Sequence, residues 1–170
     1  MKKSFLLLIV VICLFLVGCS CNKKEEKGVE LANDEVVLEN IKYKLDQEDS
    51  EYGIKYKIAS NFRKTVLVNA VNYFSENIND SPYFVVRIYH YTNKNLEESI
   101  KWSVEEYDKR EEVTVGERDY TKIHFINYNK AETNLYFYEK AKKEYYVYVF
   151  TSSLDLSRLE EIFLNNVVYE

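Results

Sequence analysis

The chain has 170 residues, of which 46% are hydrophobic and 30% charged, and its formal net charge is −5. This length allows one ordinary domain with a sizeable hydrophobic core. The acidic balance argues against a nucleic-acid-binding protein, which needs clustered lysine and arginine side chains to contact phosphates.

The N-terminal segment predicts a secretory signal. Lys2 and Lys3 precede an unbroken apolar run over residues 5–17, which is followed by Gly18 and Cys19. A basic start, an apolar stretch of about 7–15 residues and a small residue before the cleavage point are the three parts of a signal peptide. The run is too short for a mature helix across a bilayer, which takes roughly 20 apolar residues.

The end of this segment, Leu16-Val17-Gly18-Cys19, resembles the lipobox of bacterial lipoproteins. The resemblance implies cleavage after Gly18 and a diacylglyceryl group on the sulfur of Cys19. Because two or more acyl chains give stable anchoring, it also implies attachment to the outer face of the cytoplasmic membrane. An ordinary signal peptide or an uncleaved anchor is the alternative.

This interpretation divides the chain into three parts: signal peptide 1–18, a lipidated cysteine with a charged flexible tether 19–35, and a single domain 36–170. Removal of the two lysines of the signal lowers the net charge to −7. We expect so acidic a domain to stand off an anionic membrane surface. Abundant Asn, Lys, Ile and Tyr, whose codons are AT-rich, favour a Gram-positive cell with a low-GC genome.

The other cysteines do not predict a metal site or a disulfide framework. Cys13 lies in the segment that cleavage would remove, and Cys21 is left alone beside Cys19. No cluster of histidine and cysteine lies elsewhere to complete a metal site. For Cys21 a second acyl chain, an intermolecular disulfide and a free thiol stay open.

Alternating apolar residues predict the first strands of the domain. The runs are "ENIKYKL", "YGIKYKIA", "KTVLVNAVNYF" and, after a predicted loop at "NINDSP", "YFVVRIYHY". The acidic run "DQEDSE" predicts a solvated turn between the first two strands. The alternative is a calcium site built from oxygen ligands, with the carboxylates of Asp46, Glu48, Asp49 and Glu51.

The apolar period then changes to that of a helix. In "NLEESIKWSVEEYDKR" one helical face carries Leu96, Ile100, Val104 and Tyr107. Asn95 and Glu98 have the spacing of a capping box at its start.

Four strands and a second helix complete the domain. The strands are predicted at "EEVTV", "YTKIHFINY", "TNLYFYEK" and "EYYVYVFTS", with turns at Gly116, Asn129-Lys130 and Lys142-Lys143. In "SLDLSRLEEIFLNNV" one helical face carries Leu156, Leu159, Phe163 and Val167, with Ser153 or Asp155 as the candidate cap.

These elements predict an α+β fold, with an antiparallel sheet of about six to seven strands and two flanking helices. Their order resembles the PsbP-like family, whose fold is an α-β-α sandwich. The stretches that carry the resemblance are "YKIASNF", "NLEESI", "VTVGERDYTKIHF", "YYVYVFTSS" and "LEEIFLNNV". Ala59 and Phe62 stand where that family has Pro and Trp. The resemblance implies a binding scaffold on larger assemblies and transfers no ligand-binding residue.

The sequence contains no familiar catalytic motif, so we predict neither an enzyme nor a cofactor or metal. His90 and His124, the only histidines, both fall in predicted strands. If those strands were neighbours, the pair could bind a metal or shuttle a proton. The favoured alternative is two separate, half-buried strand residues.

Five aromatic residues are candidates for an interface. Trp102 falls away from the apolar face of its helix, which predicts an exposed anchor for a protein partner. The alternatives are a helix sandwiched between layers and a ring folded over the helix edge. Tyr89 and Tyr91 share a strand face, as do Tyr136 and Tyr138. They predict an open tyrosine-rich sheet face suited to protein or glycan contact; the favoured alternative is that a helix covers it.

Taken together, these observations predict a membrane-anchored, extracytoplasmic, non-catalytic binding or accessory module for a protein partner. A receptor for a small solute or a cell-wall glycan is the alternative. A hydrolase that uses the two histidines is the third hypothesis.

Overall fold

A computed structural model describes residues 33–38, 41–75 and 84–170, which belong to one compact unit. The predictions for the signal peptide, for Cys13, Cys19 and Cys21, and for the "NINDSP" loop lie outside these residues. None of the helices within the described ranges has the length and apolar character needed to cross a membrane.

Within these ranges the chain forms twelve strands and two helices. The strands are β1 Glu35–Leu38, β2 Ile41–Lys44, β3 Gln47–Glu51, β4 Ile54–Ile58, β5 Phe62–Val66, β6 Ala70–Ser75, β7 Phe84–Thr92, β8 Lys109–Val115, β9 Arg118–Ile126, β10 Glu132–Ala141, β11 Glu144–Ser152 and β12 Val168–Tyr169. The helices are α1 Leu96–Ser103 and α2 Ser157–Asn165.

Seven strands form a large antiparallel sheet in the order β5-β6-β7-β11-β10-β9-β8. The register places Ile88 beside Tyr148 and Tyr148 beside Tyr136, so these three side chains point to one side, here named the first face. Their chain neighbours Tyr89 and Val147 point to the opposite side, the second face.

The first face carries the main core of the domain. It is covered by a three-stranded sheet of order β12-β4-β3, by the β1-β2 hairpin and by α2. Phe163 of α2 joins these layers, because its ring centroid lies 5.6 Å from that of Tyr56 in β4, 5.9 Å from Tyr148 and 5.6 Å from Phe150. Leu159 and Phe163 are buried on one face of the last helix, as predicted, and Leu156 and Val167 are buried just outside its two ends.

Among the described residues, α1 covers part of the second face. Ile100 packs there in a separate core cluster with Leu135, Phe137 and Val147. At about 1.5 Å per residue, the eight residues of α1 span roughly 12 Å. A helix of that length ends at Ser103, beyond which Arg87 and Val149 are half-buried while Val85 and Leu135 are buried.

The predicted α+β fold, and with it the α-β-α sandwich implied by the PsbP-like resemblance, is wrong. The described residues are 59% strand and 13% helix, so the domain is mostly β. Small sheets occupy much of the layer where helices were expected. The run "KTVLVNAVNYF", predicted as one strand, forms the β5-β6 hairpin with its turn at residues 67–69.

The predicted turn at "DQEDSE" is also wrong, because these residues form β3. Asp49 accepts hydrogen bonds from Lys64 Nζ at 2.9 Å and Tyr73 Oη at 2.6 Å, while Lys64 also pairs with Glu51 at 2.7 Å. Alternate residues of a strand face opposite sides, so the carboxylate of Glu48 points away from those of Asp49 and Glu51. The carboxylates do not converge on a calcium ion.

The capping box of α1 is confirmed. Asn95 Oδ1 accepts from the Glu98 amide at 2.9 Å, and Glu98 Oε2 accepts from the Asn95 amide at 2.7 Å. The helix ends earlier than predicted, since Val104 is already extended and β8 begins at Lys109. At α2 the N-cap residue is Leu156, and Asp155 accepts a hydrogen bond from the Ser157 amide instead of capping directly.

Candidate functional site

Trp102 is exposed on the outer side of α1. Its side chain is 70% accessible, and Lys94 Nζ lies 4.0 Å from the ring centroid in a cation–π contact. The ring therefore does not fold over the helix edge onto the core. Trp102 directly precedes Ser103, which lines a groove on the second face beyond α1.

The four candidate tyrosines do not form one surface. Tyr89 and Tyr91 lie on the second face, where their rings stack at 5.7 Å. Tyr136 and Tyr138 lie on the first face, and Tyr136 is buried beneath α2. The prediction of a shared tyrosine-rich face is wrong, because β11 separates β7 from β10 and the register sends the two pairs to opposite sides.

The part of the second face beyond α1 forms a groove of ≈ 270 Å³, here named the second-face groove. Val85, Leu135 and Val149 provide aliphatic side chains from three neighbouring strands, with Phe125 from β9 beside them. Tyr128, in the β9–β10 turn, is 95% exposed at its rim. Among the described residues that line the groove, Arg87 alone carries a charge.

Arg87 is held in place by two neighbours. Its Nε donates to Asn72 Oδ1 at 2.5 Å, and its Nη1 donates to the Tyr89 hydroxyl at 2.9 Å. Asn72 is itself buried, so one end of the guanidinium is fixed on a rigid strand. A guanidinium has five N–H donors, and those not used here are available to a carboxylate that enters the groove.

Tyr91 supports the groove from below α1. Its hydroxyl accepts a hydrogen bond from Ser103 Oγ at 3.2 Å, which ties the last turn of α1 to β7. Burial raises the pKa of Tyr91, so the phenol stays neutral at physiological pH. Of the five candidates, Tyr89 lines the groove and Tyr91 positions its wall.

The two histidines do not meet, and the hypothesis of a histidine pair is wrong. Both lie on the first face, but β11 and β10 stand between β7 and β9, which separates them by at least about 14 Å at the usual strand spacing. His90 stacks on Tyr146 and contacts Glu144 at 3.1 Å, whereas His124 Nδ1 lies 3.0 Å from Asn134 Oδ1. No set of three potential metal ligands converges within the described part of the chain.

Sequence reasoning missed a polar pocket of ≈ 320 Å³ between the first turn of α2 and strands β8 to β10, here named the α2 pocket. Its deepest carboxylate belongs to Glu160, which is only 3% exposed. The signal was present in the sequence, because Glu160 lies four residues after Leu156 and three before Phe163. That spacing places a carboxylate on the apolar face of the helix.

Comparisons with known proteins show the fold but no family. No family model and no curated protein matches the sequence. The chain is similar to a protein of known crystal structure from Bacteroides thetaiotaomicron VPI-5482, with 13% sequence identity and a TM-score of 0.50. The match covers 69% of this chain and 45% of the other, so this chain spans less than half the length of the protein that it resembles.

Proposed function

We propose that this protein is a lipid-anchored extracytoplasmic binding module that holds a protein partner near the membrane. The observation that carries the proposal is the second-face groove. It brings the half-buried side chains of Val149 and Phe125 to the surface, beside the buried side chains of Val85 and Leu135. A concave site lined by apolar side chains with a few polar groups is typical of a binding site.

The lining of the groove specifies the chemistry of the partner. The floor suits an apolar side chain, and Arg87 offers free N–H donors to a carboxylate beside it. In a domain with a net negative charge, this one cation in an apolar setting favours an acidic segment. We infer a partner loop or strand that presents an apolar residue next to Asp or Glu.

The surroundings of the groove can extend the contact area. A specific interface buries about 800 Å² on each partner, which is more than the groove alone provides. Exposed Tyr128 borders it on one side, and Trp102 projects from the end of α1 on another. Large aromatic side chains of this kind supply much of the binding energy in protein interfaces.

Site-specific photo-crosslinking tests the surface. A photoreactive amino acid placed at Val149, on the floor, should label one membrane-associated protein in intact cells. The same amino acid at Glu48, exposed on β3 over the first face, is the matched control and should not label that protein. Arg87→Glu should reduce the labelling from Val149 at least tenfold, whereas Arg87→Lys should reduce it less.

Two results would contradict the proposal. Equal labelling from Val149 and Glu48 would show that the second-face groove is not the interface. Labelling of wall glycan in place of a protein would favour the receptor hypothesis.

The anchor is tested separately. Cys19→Ala should release the protein from membranes and change its mobility on a gel, because the acyl chains that hold it there are lost. A Cys19→Ala protein that still sediments with membranes, at unchanged mobility, would show that the lipobox does not direct the anchoring. Cys21→Ala is the matched control, since the same loss of a thiol at that position leaves the lipobox intact.

A further inference from the structure

The α2 pocket lies on the first face of the sheet, away from the second-face groove, and its lining is unusually rich in charge. Strands β8, β9 and β10 and the start of α2 contribute two lysines, four carboxylates and one histidine. These are Lys109, Lys122, Glu111, Glu132, Asp155, Glu160 and His124.

Glu160 is fixed at the base of this pocket. Its Oε1 accepts from Asn134 Nδ2 at 2.7 Å, its Oε2 accepts from the Tyr136 hydroxyl at 2.5 Å, and Lys122 Nζ lies 3.8 Å away. Burial, together with the adjacent carboxylate, raises the pKa of Tyr136, so this phenol remains a donor. The buried carboxylate thereby holds Asn134 and Tyr136 in fixed positions at the base of the pocket.

The same contacts determine how His124 presents its ring. Because the amide nitrogen of Asn134 donates to Glu160, the amide oxygen must face His124, and Nδ1 of the imidazole must donate to it at 3.0 Å. In the neutral ring Nε2 then carries the lone pair. The neutral ring, held in this tautomer by Asn134 and Glu160, therefore presents an acceptor at Nε2 to a ligand.

The charges of the pocket point to a cationic ligand. Lys109 pairs with Glu111 at 2.6 Å, and Lys122 stands opposite Glu160. The charges of Glu132 and Asp155 are not balanced by a lysine of the lining, which gives the lining a formal charge of −2. The hydrogen bond from the Ser157 amide holds the pKa of Asp155 below its usual value, so this group stays ionised.

We propose that the α2 pocket binds a small molecule through a protonated primary amine. An ammonium group has three N–H donors and no acceptor, which matches the lone pair on His124 Nε2 and the surrounding carboxylates. A volume of ≈ 320 Å³ is at the lower end of the range for organic ligands and suits a short amine. The proposal goes beyond partner binding and does not depend on it, because the second-face groove lies on the other side of the sheet.

The test is a titration of the full-length chain in detergent with putrescine and with ethanolamine, followed by nitrogen NMR of the histidine rings. We expect at least one of the two amines to shift Nε2 of His124 in a saturable way, with a weaker effect at high salt. Choline, which lacks N–H donors, and acetate, which is an anion, are the control probes and should cause no saturable shift.

Substitutions of exposed residues at the mouth of the α2 pocket test amine binding without disturbing the core of the fold. Glu132→Gln with Asp155→Asn changes groups at the pocket mouth and should weaken amine binding about tenfold or more. His90→Asn is the matched control, since His90 also contacts a carboxylate on the first face but lies outside the pocket. It should leave the affinity unchanged.

Three results would overturn the proposal. The first is the absence of any His124 shift with either amine up to about 10 mM, a range that includes weak ligands. The second is an undiminished shift in the double variant at the mouth. The third is a saturable response to acetate, which would make this an anion site.

Discussion

At the scale of single residues, the first face is organised by buried phenols that bond to carboxylates. Tyr136 in β10 donates to Glu160, and Tyr73 in β6, three strands away, donates to Asp49. The Tyr56 hydroxyl lies 2.7 Å from that of Tyr73 and extends the second network. These bonds satisfy polar groups that would otherwise be costly to bury.

Asp49 gives a prediction about pH. Burial alone would raise the pKa of this carboxyl, but hydrogen bonds from Tyr73, Lys64 and the Ser50 amide lower it below the usual value. A pKa that is lower in the folded state means that the charged form stabilises the fold above the unfolded pKa of about 3.9. That stabilisation is lost as the pH falls through the lower, folded value.

We therefore expect Asp49→Asn to reduce the free energy of unfolding by about 1–2 kcal/mol at pH 7. The difference from the wild-type protein should shrink below about pH 4, as urea titrations at several pH values would show. Glu48→Gln, on the exposed side of the same strand, is the control and should change stability by less than about 0.5 kcal/mol. A difference for Asp49→Asn that does not vary with pH would contradict this explanation.

At the scale of elements, α1 is short, yet it shapes the second face. It buries Ile100 and Ser99 against the sheet and leaves the groove beyond its last turn. A helix of eight residues has little intrinsic stability in water, so its start depends on the capping box at Asn95.

Asn95→Ala should destabilise the protein by about 1 kcal/mol, because the side-chain acceptor for the Glu98 amide is lost. Asn95→Asp keeps an acceptor and is the matched control, with an expected change of less than about 0.5 kcal/mol. Urea unfolding gives the stability, and amide hydrogen exchange in α1 locates the effect. Equal losses from the two substitutions would mean that the cap does not stabilise this helix.

At the scale of the whole molecule, one core joins the seven-stranded sheet to the small sheets and α2. Phe163 is fully buried at this junction, in contact with the rings of Tyr56, Tyr148 and Phe150. Since these rings come from β4 and β11, removal of Phe163 weakens two layers together. The layers should accordingly unfold as one cooperative unit.

Phe163→Ala should therefore cost about 3–5 kcal/mol in unfolding free energy and leave a single transition in urea. Tyr128→Ala removes a comparable ring from an exposed turn, so it should change stability by less than about 0.5 kcal/mol. Circular dichroism and tyrosine fluorescence should report the same midpoint for each variant. Two separate midpoints, or a cost near 1 kcal/mol for Phe163→Ala, would show that this junction does not hold the layers together.

Most individual elements of the domain were predictable because their signals are local. Residues only a few positions apart produce these signals. They are the apolar alternation in β7, β9, β10 and β11, the apolar face of α2 and the capping box of α1. The β3 strand was not predictable in this way. Its acidic residues become acceptable in a strand only because Lys64 and Tyr73, from β5 and β6, reach Asp49.

The candidate sites were predicted less well. The exposure of Trp102 followed from helical spacing. Arg87 and Tyr89 are two residues apart in β7, which placed both side chains on the same side of the sheet. Which face of β10 joins that side depends on the register across β11, and the sequence does not encode this locally. The α2 pocket likewise forms only where β8, β9, β10 and α2 pack together. The one local signal for it in the sequence is the carboxylate of Glu160 on the apolar face of α2.

The sequence by itself determined where most strands and both helices of the domain form, and it is the sole basis for the proposed anchor at Cys19. These properties depend on short-range periodicity and on one compact motif. The tertiary structure decided that the domain is mostly β, that the histidines stay apart and that the tyrosine pairs face opposite ways. The physical reason is that strand order and register are set by long-range pairing, and a shift of one residue moves every side chain to the other face.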